Sequence, residues 1–71
     1  MAWKQISEYT SVYLKRHSYV NYDVDQECYF VDFYQDDNYV TSERYPGKSI
    51  HFVEDAAENY VLGILNVPQT A

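Results

Sequence analysis

Apolar and polar residues alternate at the start of the chain in the pattern of half-buried strands. Residues 9–16 alternate in this way and contain Thr, Val and Tyr, which favour pleated surfaces, so a first strand is predicted there. The alternative is a helix over residues 3–17, because several apolar residues of that segment also fall along one helical stripe. Residues 19–25 alternate again and predict a second strand.

Two further strands follow in the middle of the chain. Residues 28–34 form the most apolar run and are rich in strand-forming residues, so we expect the central strand there. Residues 35–38 have turn chemistry, since Asp and Asn tolerate left-handed backbone. Residues 39–45 then return as an antiparallel neighbour, because parallel connections need a dozen or more residues. Pro46 and Gly47 fit the centre of a type II turn.

The hydrophobic period changes to 3.6 in the last third of the chain. Ser49 is the predicted N-cap of a helix over about residues 49–65, and Pro68 prevents much continuation. Its apolar stripe is predicted to contain Ile50, Val53, Ala57, Tyr60, Val61, Ile64 and Leu65. We therefore predict an α+β fold over residues 1–71. It is a single domain with an antiparallel meander of three to four strands, within about residues 9–45, and one C-terminal helix packed on one face.

Length and composition narrow this prediction. A chain of 71 residues forms a small core, which rarely supplies more than about 3–5 kcal/mol of net stability. The single cysteine cannot form an internal disulfide, and no Cys/His cluster predicts structural zinc. We expect a compact regular fold or one that a partner completes.

The net charge of −6 argues against direct nucleic-acid binding, because phosphate contacts require clustered Lys and Arg. The five basic residues are scattered along the chain. No apolar run is long enough to span a bilayer, and residues 1–8 lack the features of a signal peptide. We therefore expect a cytoplasmic protein without membrane contact.

Acidic residues form the first candidate site. Asp23, Asp25 and Glu27 would share one face of a strand, and Asp32, Asp36, Asp37 and Glu43 would extend this patch. The spacing resembles the start of a calcium loop, but the required Gly and distal Glu are absent, so no metal site is predicted. The patch is a solvated edge, a surface that recognises a basic protein, or a mimic of the phosphates of nucleic acid.

The nine tyrosines form the second candidate site, because alternation distributes them over both faces of the sheet. Tyr is enriched in binding surfaces, and Tyr19 and Tyr39 are predicted to belong to the partner surface. The alternatives are cross-strand pairs that only stabilise the sheet, and base stacking without the usual cationic residues.

The helix offers a candidate self-association surface. Phe52 lies off the core stripe, and the predicted helix places Ala56, Asn59 and Gly63 near it as a shallow track. Such a track would fit a second copy about a two-fold axis. The alternative is that Phe52 packs against the loop over residues 46–48 and that Gly63 only weakens the last turn.

No catalytic or cofactor site is predicted. His17 and His51 are isolated, and Cys28 is expected to be a small buried residue. With only Gly47 and Gly63 in the chain, no phosphate-binding loop or dinucleotide fingerprint is present. We therefore expect a protein that is not an enzyme and needs no cofactor.

Residues 54–65, which read EDAAENYVLGIL, follow a Tyr-rich acidic body. This segment resembles that of small accessory proteins of tailed phages infecting marine cyanobacteria. The resemblance implies a phage-encoded protein in the host cytoplasm that binds a host or viral protein. The sequence thus predicts a non-enzymatic protein-interaction module that forms a homodimer, and the alternative is an acidic phosphate-mimicking inhibitor of a nucleic-acid-binding protein.

Overall fold

A computed structural model describes residues 2–67, so Met1 and Pro68 lie outside the described residues. Within that range, four strands form one antiparallel sheet in the order β1-β2-β3-β4, and one helix follows. The elements are β1 (Trp3–Ser11), β2 (Arg16–Asp23), β3 (Cys28–Gln35), β4 (Asn38–Tyr45) and α1 (Ile50–Val61). The predicted α+β meander with a C-terminal helix on one face is confirmed.

The core lies between α1 and one face of the sheet, which we call the helix face. Polar contacts also join these layers. The buried Ser18 hydroxyl donates to the Ala57 carbonyl at 2.9 Å, and the Tyr60 hydroxyl donates to the Tyr34 carbonyl at 3.1 Å. The core residues are Val20, Val31, Phe33, Val53, Ala57, Tyr60 and Val61.

The first strand begins and ends earlier than predicted. Residues 3–11 are a strand, so the helical alternative is wrong, and residues 12–15 form a turn rather than the end of a strand. The Ser11 hydroxyl accepts the Leu14 N–H at 3.3 Å, and Lys15 adopts a left-handed φ of 54°. Tyr13 is 99% exposed at this turn. Because residues 12–14 are of types that also occur in strands, the alternating pattern does not reveal the turn that Ser11 caps.

The second strand is also shifted, and this changes the first acidic cluster. It covers Arg16–Asp23, and residues 24–27 form the turn to β3. Asp23 caps this turn, because its Oδ1 accepts the N–H groups of Asp25 at 2.9 Å and Gln26 at 3.0 Å. The prediction that Asp23, Asp25 and Glu27 share one face of a strand is therefore wrong.

The third and fourth strands agree with the sequence prediction. A two-residue connection, Asp36-Asp37, joins them, and both residues have left-handed φ values of 53° and 65°. This is the geometry of a type I′ hairpin turn. The Lys48 N–H donates to the Tyr45 carbonyl at 3.2 Å around Gly47, whose φ is 76°. Positive φ at this glycine fits the predicted type II turn.

The helix begins as predicted and ends earlier. The Ser49 hydroxyl accepts the Phe52 N–H at 3.3 Å, which is N-cap geometry. The last helical residue is Val61, and Gly63 follows with a φ of 83°. Ile64 N–H donates to the Asn59 carbonyl and Gly63 N–H to the Tyr60 carbonyl, which is a Schellman motif. The predicted end near Leu65 is wrong because the left-handed Gly63 terminates the helix.

Candidate functional site

The face of the sheet that points away from α1 is the candidate site, and we call it the open face. Within residues 2–67, α1 packs on the other face, and large aromatic side chains of the open face stay accessible, such as Trp3 at 54% and Tyr39 at 56%. The contacts described below place the following side chains here: Trp3, Gln5, Tyr19, Asn21, Phe30, Asp32, Tyr34, Tyr39, Ser42 and Arg44.

One row of tyrosines crosses three strands of the open face. Tyr19 and Tyr34 meet edge to face with ring centroids 5.4 Å apart, and Tyr34 and Tyr39 meet similarly at 5.7 Å. Tyr34 and Tyr39 are direct partners in the register, whereas Tyr19 and Tyr34 are diagonal neighbours, which the right-handed twist of the sheet brings together. Partial burial raises the pKa of Tyr19, and the nearby Glu8 carboxylate raises it further. Tyr19 is therefore a neutral hydrogen-bonding group at neutral pH.

A second aromatic row lies toward the other end of the strands. Trp3 meets Phe30 edge to face at 6.2 Å, and the Arg44 guanidinium lies 5.1 Å from the Phe30 ring centroid. Arg44 Nη1 also contacts Asp23 Oδ2 at 2.9 Å. The Gln26 backbone N–H, together with Arg44, lowers the pKa of Asp23. Asp23 is thus a structural carboxylate that fixes both a turn and Arg44.

A polar row lies between the two aromatic rows. Asn21 Nδ2 donates to Asp32 Oδ2 at 3.1 Å, and the Ser42 hydroxyl donates to Asp32 Oδ1. The Tyr39 hydroxyl and Ser42 Oγ are 2.7 Å apart, so the chain of hydrogen bonds extends across β2, β3 and β4. Asp32 accepts from both neighbours, which orients its carboxylate on the sheet.

Asn21 carries an unpaired polar atom in this row. The side chain is only 1% exposed, and its Oδ1 has no hydrogen-bond partner among the described residues. The orientation of the amide is determined, because Nδ2 faces two acceptors, the Tyr19 carbonyl at 3.2 Å and Asp32. A buried unpaired acceptor costs about 1–3 kcal/mol. Asn21 Oδ1 is therefore an acceptor that the described chain leaves unsatisfied.

A cleft of about 310 Å³ lies above this polar row. Its volume is at the small end of the range found for ligand pockets. Hydrogen-bond acceptors and amide groups lie at its base, and aromatic side chains flank it. The lining residues are Trp3, Gln5, Tyr19, Asn21, Asp32 and Tyr34.

The predicted acidic surface divides into two groups. Asp25 and Glu27 lie in the β2–β3 turn, and Asp25 Oδ2 accepts the Ala2 N–H at 3.1 Å. Asp36 and Asp37 lie at the other end of β3, which is about 24 Å away at 3.4 Å per residue. Asp23 is buried. Asp25 and Glu27 thus lie at one end of the open face, and Asp36 and Asp37 lie at the other.

The helix residues predicted for self-association are brought together only in part. Phe52 is exposed and contacts the loop before the helix, since its ring lies 6.0 Å from Tyr45 and 4.8 Å from Lys48 Nζ. Ala56 and Asn59 share with it a recess of about 330 Å³. Gly63 is outside this track and lies against Leu14, so its assignment to the same helix face is wrong.

The possible nucleophile Cys28 does not meet a histidine. It is buried beside Arg44 at 3.7 Å, whereas His17 pairs with Tyr34 near the other end of β3. His17 Nδ1 lies 2.6 Å from the Thr10 hydroxyl, and its Nε2 lies 3.5 Å from Asp37, whose side chain is 94% exposed. Water competes strongly for so exposed a carboxylate, so this contact holds the imidazole only weakly.

The sequence prediction included Tyr19, Tyr39 and Asp32 but not Trp3 and Asn21, which complete the open face. Alternation alone puts odd-numbered residues of β2 on one face. The register that brings Asn21 to Asp32 depends on the position of the β2–β3 turn, and the sequence prediction placed that turn two residues too late. A turn prediction based on Asp23 as a capping residue would have been the useful signal.

No helix of residues 2–67 has the length and apolar character needed to cross a membrane. In the same range, no group of three or more His, Cys, Asp or Glu side chains is placed to hold a metal ion. Comparison with models of known protein families, with curated proteins and with solved structures gave no match.

Proposed function

We propose that this protein is a non-enzymatic interaction module that binds a protein partner through its open face. The observation that carries the proposal is the accessible aromatic surface around a buried, unpaired acceptor on the side of the sheet opposite α1. Aromatic side chains supply large contact area, and they are enriched in interfaces between proteins. A partner would remove Trp3 and Tyr39 from water.

The charge of the module supports a basic partner. The chain carries −6, and exposed carboxylates flank both ends of the open face. Complementary charge would increase the rate of association and make it sensitive to salt. The resemblance to phage accessory proteins adds the proposal that the protein is phage-encoded and meets a host or viral protein in the host cytoplasm.

The alternative proposal is an inhibitor that imitates nucleic-acid phosphates. It has less support, because the two pairs of turn carboxylates, Asp25 with Glu27 and Asp36 with Asp37, are separated by the length of β3 rather than arranged along one ladder. Displacement of DNA from a captured partner would favour this alternative.

The proposed homodimer has its own test. Light scattering at tens of micromolar should give twice the mass of 8.4 kDa, and the monomer mass would contradict the homodimer.

Affinity capture with matched variants tests the leading proposal. The immobilised protein is exposed to a lysate of a marine cyanobacterium, and captured proteins are identified by mass spectrometry. Trp3→Ala and Tyr39→Ala remove exposed aromatic groups from the open face, and Tyr13→Ala removes one from the β1–β2 turn. We expect one protein to bind the wild type and Tyr13→Ala but neither open-face variant. Equal capture by all four proteins, or no specific capture, would contradict the proposal.

A further inference from the structure

The base of the cleft on the open face contains two acceptor groups, the Asn21 amide oxygen and the Asp32 carboxylate. Asn21 Oδ1 is buried and unpaired, and the Asp32 carboxylate beside it is the anionic group of the cleft. Asp32 accepts one hydrogen bond at each oxygen, which leaves further lone pairs available. A ligand that fits this base must therefore supply several N–H or O–H donors and carry no negative charge.

The flanking side chains add a second requirement. Trp3, Tyr19 and Tyr34 line the same cleft, and aromatic faces attract cations that lie within about 6 Å of the ring centroid. Aromatic rings also favour a flat group that can stack on them. Acceptors at the base and aromatic walls together select a planar cation with donors along its edge.

Two arginines of the chain itself lie over an aromatic ring and donate to an acceptor at other places in the structure. Arg44 lies over Phe30 and contacts Asp23, and Arg16 lies 4.6 Å from the Tyr60 ring centroid. None of the five basic side chains of the protein lines the cleft. The cleft thus has the surroundings of an arginine site without an arginine from the described chain.

We propose that the cleft binds the guanidinium group of an arginine side chain on the protein partner. This inference rests on the proposed function, since it names the residue by which the partner is anchored. Guanidinium suits the site better than ammonium because its planar edge can donate to the Asp32 carboxylate while its face stacks on an aromatic ring. The overall charge of −6 favours the same occupant.

A titration followed by NMR tests the inference without the unidentified partner. The probes are N-acetyl-arginine methylamide, its neutral citrulline isostere and the corresponding lysine compound, each added to the full chain labelled with ¹⁵N. We expect saturable shifts of the Trp3 indole and Asn21 amide signals with the arginine probe, with a dissociation constant on the order of 1–10 mM. The citrulline probe should produce no saturable shift.

Variants locate the binding. Asp32→Asn removes the charge of the cleft, and we expect the arginine probe to bind at least about tenfold more weakly. Asp55→Asn makes the same change in net charge on the exposed side of α1 and should bind like the wild type. Trp3→Ala removes one wall without touching the polar row and should also weaken binding. The amide spectrum shows directly whether Asp32→Asn folds. If it does not fold, Trp3→Ala still tests the site.

Several outcomes would overturn the inference. The citrulline probe could give the same shifts as the arginine probe, or the lysine probe could bind with the same affinity. Trp3→Ala could bind the arginine probe as tightly as the wild type does. The same shifts with uridine monophosphate would indicate a nucleotide-stacking surface. The two proposals can fail separately. If the arginine probe does not bind but partner capture still depends on Trp3 and Tyr39, the interaction proposal stands and the arginine assignment is wrong. If the probe binds but partner capture does not depend on Trp3 and Tyr39, the arginine assignment stands and the interaction proposal is wrong.

Discussion

Arg16 joins the sheet to the end of the helix, and its removal should remove most of the stability of the protein. Its Nε donates to Gln35 Oε1 at 2.8 Å, and its Nη1 donates to the Tyr60 carbonyl at 2.9 Å and the Leu65 carbonyl at 3.4 Å. Its Nη2 donates to Asn66 Oδ1 at 3.1 Å, and the guanidinium lies over the Tyr60 ring. One side chain thus links β2, β3 and the segment after α1.

The expected cost follows from these contacts. Each of the two shortest hydrogen bonds contributes about 1 kcal/mol. The contact with the Tyr60 ring adds about 0.5–1 kcal/mol, and a cation at the helix C-terminus adds about 0.3–1 kcal/mol. We therefore expect Arg16→Ala to lower the free energy of unfolding by about 3–4 kcal/mol. A core of this size rarely supplies more than about 3–5 kcal/mol in total, so the variant should retain at most about 2 kcal/mol at 25 °C.

Urea denaturation followed by far-UV circular dichroism measures this cost. Arg16→Lys is the matched variant, because it keeps the charge near the helix end but cannot donate to Gln35 and Tyr60 together. We expect it to fold and to lose about 1–2 kcal/mol. A loss below about 0.5 kcal/mol in Arg16→Ala, or no difference between Arg16→Lys and the wild type, would refute the reasoning.

Three further predictions concern stability. Gly63→Ala should cost about 1–2 kcal/mol, because its φ is 83° and an added Cβ would lie 2.8 Å from Leu14 Cδ1; equal urea midpoints for variant and wild type would contradict this. Replacing Asp36 and Asp37 by Asn-Gly should stabilise the protein by about 1 kcal/mol, because type I′ turns favour that pair, and a lower thermal midpoint would be the contrary result. Burial and the nearby Glu43 raise the pKa of Tyr45 to about 12, so the unfolded state ionises first as pH rises above 10. The free energy of unfolding should be unaffected by this group below pH 10 and should fall from pH 10 to 12, and Tyr45→Phe should show a smaller fall over that range.

The parts of the fold that could be predicted are those with strong local signals. The apolar run of β3, the Asp-Asp turn and the Ser49 cap each have one dominant interpretation, and each is found in the structure. The bounds of β1 and β2 were wrong because their turns contain few typical turn residues. Ser11 and Asp23 make those turns through side-chain hydrogen bonds to the backbone.

The candidate site could be predicted only at the level of residue type. Tyr19 and Tyr39 were identified because exposed tyrosines suggest an interface, but the polar row depends on registers between three strands. A shift of two residues in β2 changes which side chains neighbour Asp32. The end of the helix was also missed. Gly63 terminates the helix through its left-handed φ, and the apolar stripe of a helix does not predict that backbone conformation.

The most direct test of the central claim is site-specific photocrosslinking in the lysate. A benzophenone amino acid replaces Tyr39 on the open face, or Tyr13 in the β1–β2 turn, or Phe52 on the helix; all three positions are exposed. The account predicts that the captured partner crosslinks at position 39 and not at positions 13 or 52. Crosslinking at position 52 with none at position 39 would contradict it and would place the partner on the helix.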